Sequence, residues 1–216
     1  MLCWPMRQIT IRDVRAEDVP EIKAIIAGVW DWEGMFDGER TLDAALGIYL
    51  NQVLFEATFG RAAVVNGKVA GVIFGSVDGV EPKYRTLLED GTAHALTLLA
   101  APESDRKTIL GYFAKIAAIY EELTSGIMDD YDGTLDFLVL AKEAQGLGIG
   151  KRLWAALKAY FAENNTKRIY LYSDTECNTG FYESQGFAKR LERKAAFDFD
   201  GEVFEADIFL YDIRLD

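Results

Sequence analysis

The sequence predicts an α/β fold built on a sheet of mixed strand direction, and three observations carry that prediction. Asn66-Gly67 stands between two apolar runs, the last third of the chain alternates strand and helix patterns, and a glycine-rich turn, Gln145 to Gly150, joins an apolar strand to an amphipathic helix. Asn-Gly favours a two-residue hairpin because both positions accept positive φ at little cost. Strand and helix in alternation are the mark of a sheet flanked by helices.

Each element follows from local pattern. Ile9–Arg12 alternates as a short strand, and Asp18 then caps a helix that carries Pro20 in its first turn and Val19, Ile22, Ile25, Ile26 and Val29 on one face. A link rich in aromatics and carboxylates, Trp30 to Arg40, leads to a second helix over Leu42 to Phe59, with Leu46, Tyr49, Leu50, Val53 and Leu54 as its apolar stripe. Ala62–Val65 and Lys68–Gly75 form the hairpin around Asn66-Gly67. From Pro82 to about Gly126 the pattern is helical, its best piece Ser104–Leu123, and Gly126 stops it. Leu135–Leu140 is a strand, Gly150–Ala162 a helix, Ile169–Ser173 a strand and Thr179–Ser184 a short helix. Lys189–Phe199 and Val203–Tyr211 close the chain as a hairpin turned at Asp200-Gly201. No composition change marks a boundary, so the expectation is one domain over residues 1–216 with a helical insertion at about 82–126.

Composition excludes several function classes. The 216 residues carry 23 basic and 35 acidic side chains, a net charge of −12, which disfavours nucleic acid and suits a cationic partner. One histidine, His94, and two cysteines, Cys3 and Cys177, leave little for a metal site, and a Ser–His–Asp or Cys–His hydrolase would depend on His94 alone. No apolar run reaches the roughly 18 residues of a membrane span, and Met1–Arg12 lacks the apolar block of a secretory signal. A cytoplasmic protein with reduced thiols is expected.

The glycine turn is the sharpest feature. Gly146, Gly148 and Gly150 let a ligand approach the backbone closely, and the free N–H groups of the following helix make an anion site suited to a pyrophosphate. Lys142, Lys151 and Arg152 surround it, a local positive cluster that outweighs a distant acidic balance because salt screens charges beyond about 8–10 Å. A P-loop would need Gly at 145 and Ser or Thr at 152, where Gln and Arg stand, and a dinucleotide fingerprint finds Leu153 or Lys151 in place of its third glycine.

At these residues the chain resembles the GNAT superfamily of acyl-CoA-dependent N-acyltransferases. The family's central signature, Gln or Arg, two residues, Gly, one residue, Gly or Ala, is met by Gln145, Gly148 and Gly150; a second, some thirty residues on, is met by Phe181-Tyr182 and Gly186-Phe187. The order of elements agrees over about 1–80 and 127–216. The resemblance implies a central mixed, mostly antiparallel twisted sheet of about seven strands flanked by helices, with 82–126 as an addition. It implies acetyl-CoA as cosubstrate and, by analogy with the family, a homodimer. Leu138, Val139 and Leu140 would pair with the pantetheine arm, and Gln145, Gly146, Leu147, Gly148, Ile149, Gly150 and Lys151 would hold the pyrophosphate. Asn178 matches an asparagine that contacts pantetheine, but only four residues before Tyr182 where seven is commoner, so it serves there or caps the short helix. Tyr182 matches the tyrosine that protonates the departing thiolate.

Acetyl transfer to an amine also needs a base, since the acceptor is protonated at neutral pH. Asp136 is the first candidate, expected on one strand face with Leu138 and Leu140; Glu33, Asp31 and Glu81 are alternatives. Trp30, Trp32 and Phe36 with Asp31, Glu33 and Asp37 read either as a receptor for a cationic amine or as a loop whose tryptophans plug the core. Tyr182 is a proton donor or a core tyrosine, and Cys177 a buried thiol or a nucleophile. His94 reads as a packing or surface residue. The acceptor is a small-molecule or peptide amine, with no nucleic acid and no membrane among the expected partners. The competing reading is a non-catalytic acyl-CoA-binding module, which an apolar exposed face on the Ser104–Leu123 helix would favour and an open cleft beside Tyr182 would oppose.

Overall fold

The computed structural model describes residues 8–36, 38–199 and 202–215. Cys3, Asp37 and the Asp200-Gly201 turn lie outside them. Seven strands, β1 (Ile9–Asp13), β2 (Phe59–Val65), β3 (Lys68–Val77), β4 (Gly133–Leu140), β5 (Arg168–Asp174), β6 (Ala188–Phe199) and β7 (Glu202–Arg214), form one sheet in the order β1-β2-β3-β4-β5-β7-β6. Every neighbouring pair is antiparallel except β4 and β5.

Among the described residues six α-helices dress the sheet: α1 (Val19–Val29), α2 (Glu39–Glu56), α3 (Gly91–Ala100), α4 (Glu103–Thr124), α5 (Ile149–Glu163) and α6 (Thr179–Ser184). Asn66 and Gly67 turn the first hairpin with φ of 52° and 85°, as their residue types require. The second helix starts and ends about three residues earlier than its stripe suggests, because Phe59 pairs with Gly75 and so opens β2. Helix α5 covers one face of the sheet: a Cβ on Gly75 would stand 2.6 Å from Leu157. On the other face Phe137, opposite Phe74, packs on Trp30 after α1 and on Tyr49 of α2.

The 82–126 stretch divides its loyalties. Helix α3 lies on α2, whereas α4 lies on β6. Ile119 and Leu123 of α4 build a second core with Tyr170, Ala195, Phe197, Ala206, Ile208 and Leu210, separate from the main one under α1, α2 and α5. Among the described residues no helix is long and apolar enough to cross a membrane.

Candidate active site

Among the described residues the only parallel pairing is short. Strands β4 and β5 pair at Gly133–Ile169 and Thr134–Tyr170 and then separate, while β5 continues along β7. Residues 137–140 thus keep hydrogen bonds to β3 and have an unpaired edge towards β5. A cleft of about 1010 Å³ occupies the wedge, and Leu138, Val139 and Leu140 line it. Unpaired strand edges accept an extended ligand as an added strand.

The glycine turn borders the same cleft. Gly146 and Gly148 adopt φ of 75° and 74°, Gly148 as the residue that starts α5, and nothing lies within 4 Å of where their Cβ atoms would be. A Cβ on Gly150 would instead press to 3.2 Å from the Phe181 ring. The turn therefore combines open approach, a helix N-terminus and a close fit behind it, which suits a pyrophosphate. Gln145, Ile149, Lys142 and Lys151 line the cleft with the glycines. Leu147 packs against the main core instead. Arg152 also departs from the expected cluster: it lies outside the cleft lining, and its guanidinium donates to the Ile9 carbonyl at 3.3 Å.

A second cleft, about 890 Å³, opens on the α2 side of the sheet and meets the first at Trp30, Trp32, Tyr112, Leu138, Cys177 and Tyr182. Asp136 lines its wall. Between Phe74–Phe137 and Gly75–Leu135 the register shifts by one, so Asp136 is an extra residue, a β-bulge. The bulge overturns the simple alternation that grouped Asp136 with Leu138 and Leu140. Leu135, opposite Gly75, faces α5, whereas the Asp136 carboxylate accepts a hydrogen bond from Ser76 on the opposite face. Burial in the cleft wall, with Glu56 adding repulsion against the Ser76 hydrogen bond, pushes its carboxyl up to about 7. It can exchange a proton at neutral pH.

Tyr182 stands at the meeting point of the two clefts. Helix α6 holds it between Phe181 and Phe187, with ring centroids 5.5 and 6.0 Å away. Burial, then Cys177 and Asp174, raise its phenol above the ordinary tyrosine value, so it holds a proton to donate. Asn178 is the cap of that helix, its side-chain oxygen accepting from Phe181 N at 3.3 Å, and it also lines the first cleft. Cys177 is the neutral thiol of the two readings: burial and Asp174 push it up to about 12, well out of nucleophilic range. Asp174 Oδ1 accepts from the backbone of Glu176 and Cys177 at 2.9 and 3.0 Å and fixes the turn.

The aromatic link splits. Trp30 and Trp32 line both clefts; Trp32 is buried against Tyr49 and Tyr112 as well, so it serves core and site together. Phe36 packs edge-on against Trp32 in a small apolar pocket between α2 and α4, and exposed Glu33 borders neither cleft. His94 lies away from both, its Nε2 3.3 Å from Glu89, against Gly47. Sequence reasoning missed Glu56 and Asp78 on the second cleft and the wall that α4 supplies with Tyr112, Ile116 and Tyr120. The only signal for the latter was the apolar face of α4, which says that it packs but not on what.

Comparison with known proteins agrees with this fold. A family model described as the acetyltransferase (GNAT) family matches residues 28–187. A search of curated proteins finds no match. Among solved structures, PH1933 from Pyrococcus horikoshii OT3 is similar at 16% identity and a TM-score of 0.60, covering 97% of this chain and 99% of that one. The ribosomal-protein-S18-alanine N-acetyltransferase from Escherichia coli is similar at 13% identity and a TM-score of 0.52, covering 97% and 95%. So is yncA from Salmonella typhimurium, solved with its cofactor acetyl-CoA, at 15% identity and a TM-score of 0.52, covering 96% and 94%. With the wedge, the glycine turn and the family match in agreement, this chain belongs to the GNAT acetyltransferase family.

Proposed function

We propose that the protein transfers an acetyl group from acetyl-CoA to a primary amine of a cationic acceptor, by direct attack in a ternary complex. The observation that carries this reading is the meeting of two clefts at Tyr182, one bordered by the glycine turn and the other by Asp136. The thioester supplies an activated carbonyl, so that the amine nitrogen forms the C–N bond as the C–S bond breaks and CoA leaves as a thiol. The residues of the first cleft suit that cosubstrate. The open edge of Leu138, Val139 and Leu140 offers backbone partners to an amide-bearing arm, and Gln145, Gly146, Gly148, Ile149, Gly150 and Lys151 offer N–H groups and one ammonium to the pyrophosphate. Asn178 retains its amide N–H₂ for the arm while its oxygen caps α6.

Asp136 takes the first proton from the acceptor ammonium and releases it to solvent. Tyr182 gives its proton to the departing sulfur and recovers one from the acylated nitrogen, which leaves a neutral amide and a neutral thiol. Trp30 and Trp32 face the amine with aromatic rings, favourable to a cation before it is deprotonated. Two cysteines in 216 residues, with Cys177 a free thiol, are in keeping with a cytoplasmic setting. The open second cleft beside Tyr182 argues against a purely binding module. The test is titration with acetyl-CoA, read by thermal shift, together with release of free thiol over a panel of amines. A shift with thiol release is expected; absence of a shift would refute the assignment of the glycine turn.

A further inference from the structure

Ser76, on the wall of the second cleft, has one hydroxyl proton and two acceptors within reach. Its Oγ lies 3.0 Å from the Glu56 carbonyl and also hydrogen-bonds Asp136 Oδ2. A hydroxyl carries a single O–H, so the serine can donate to one of these at a time, while its lone pairs remain free to accept. Glu56 ends α2, and its carbonyl is one of those a helix leaves without an internal donor. Two arrangements satisfy these groups. With Asp136 protonated, its carboxyl donates to Ser76 Oγ and the Ser76 proton goes to the Glu56 carbonyl. With Asp136 ionised, the Ser76 O–H turns to the carboxylate, and the carbonyl at the exposed end of α2 is left to solvent.

The bulge makes the contact. Ser76 pairs with Thr134, and the register shift leaves Asp136 as the extra residue, with its carboxylate turned to the face on which Ser76 lies. The groups around it offer its charge little else. Helix α2 brings Glu56, which together with burial favours the neutral acid, and Ser76 is what opposes them. Helix α2 also brings Tyr49, and β5 brings Tyr170, whose phenols burial keeps protonated. Exposed Asp78 and Glu81, beyond the end of β3, line the same cleft, and α4 faces it with Tyr112 and Tyr120 and no charged side chain. Arg85, the cation of the lining, is engaged with Phe55: its Nε donates to the carbonyl at 2.9 Å and its guanidinium lies 4.4 Å over the ring.

We propose that Ser76 is the positioning residue of the base: its one hydroxyl proton moves between the Glu56 carbonyl and Asp136 Oδ2 as Asp136 gains and loses its own. The serine thereby orients the carboxylate and sets the pH above which it accepts a proton from the acceptor amine. This rests on the transferase reading, with Asp136 as base, and deepens it. One proton leaves Asp136 in the change and one O–H rotates; no other bond is made or broken.

The test follows two quantities against pH in the wild-type protein and in S76A, S76C and S76T: kcat/KM by thiol release, and the Asp136 carboxyl by its 13C chemical shift. S76A removes a hydrogen bond to an ionised group, so the rate limb and the carbon titration should both move up by about one pH unit. S76C, whose S–H is a weaker donor, should move both in the same direction by less, and it carries the comparison should S76A not fold. S76T keeps the hydroxyl and should return both to the wild-type position. Limbs and titrations that stay at the wild-type pH in S76A and S76C, even with rates lowered throughout, overturn this proposal alone and leave Asp136 as the base. A wild-type carboxyl that titrates near pH 7 with no rate limb there overturns the base, and with it the part given to Ser76. Absence of thiol release with every amine overturns the transferase reading as well.

Discussion

Replacing Asp136 by Asn should make the protein more stable and nearly inactive at once. The folded protein holds the Asp136 proton up to about pH 7, whereas the unfolded chain releases it near 3.8. Between those values the native state binds more protons than the unfolded state, so the wild-type loses stability as pH rises through that window and recovers none above it. At 1.36 kcal/mol per tenfold change in proton affinity, the full difference is about 4 kcal/mol. The carboxylate lines a cleft that admits solvent, which reduces the expected penalty to about 2 kcal/mol. Asparagine keeps the shape and still accepts the Ser76 hydrogen bond but cannot ionise. D136N should therefore melt higher than wild-type at pH 8.5, by about 4–8 °C for a chain of this size, with a much smaller gap at pH 4.5. In catalysis the sign reverses. Wild-type kcat/KM should climb tenfold per pH unit up to about pH 7 and then level, while D136N should lose that limb and fall about 10²–10⁴-fold. Paired melting curves and pH–rate profiles check both halves. Equal melting temperatures at pH 8.5 would refute the burial argument, and a surviving limb near pH 7 would remove Asp136 as the base.

Other outcomes follow from the same geometry. Tyr182→Phe should lower kcat by about 10²-fold with the KM for acetyl-CoA unchanged, measured by thiol release; wild-type turnover would exclude Tyr182 as the proton donor. Gly148→Val forces a branched side chain into the left-handed region, a strain of about 1–2 kcal/mol, so the protein should remain folded by circular dichroism yet lose its thermal shift with acetyl-CoA. Cys177→Ser should retain most turnover, because a thiol pushed up to about 12 is no nucleophile; a stable acyl adduct on Cys177, seen by mass spectrometry of the wild-type protein, would contradict this.

Much of this was legible because it is local. The Asn66-Gly67 hairpin, the glycine turn and the boundaries of α6 depend on residues adjacent in sequence, and the structure reproduces them. The proposed cofactor side is a strand end and the turn that follows it, so its elements could be placed from sequence. Those of the proposed acceptor side could not. A single bulge at Asp136 changes which face its carboxylate joins, and alternation carries no sign of it. Glu56, Asp78 and Asp136 come from three elements and have no spacing in common. Arg152 was grouped with the lysines by proximity in sequence, but on a helix its neighbour Lys151 points elsewhere, about 100° away. Trp32 is not a core plug alone, since its large ring fills the core and also lines a cleft.

Helix α4 walls the second cleft and is held by partners far along the chain: Glu122 pairs with Arg193, 71 residues later, and Lys115 reaches the carbonyl of Ala196, 81 residues later. A polypeptide emerging from the ribosome completes β1 to β4, the glycine turn and α5 before those partners exist. Contacts so distant in sequence form late, after the entropy of closing the intervening chain has been met. Until the last hairpin is made, Ile116, Ile119 and Leu123 lack Ala195, Phe197, Ala206, Ile208 and Leu210 and have Tyr131, Tyr170 and Tyr172 to lie against. The wedge and glycine turn can thus form from residues already made, whereas the α4 wall of the second cleft is completed only once β6 and β7 have followed, and the chain between those stages leaves apolar α4 surface uncovered.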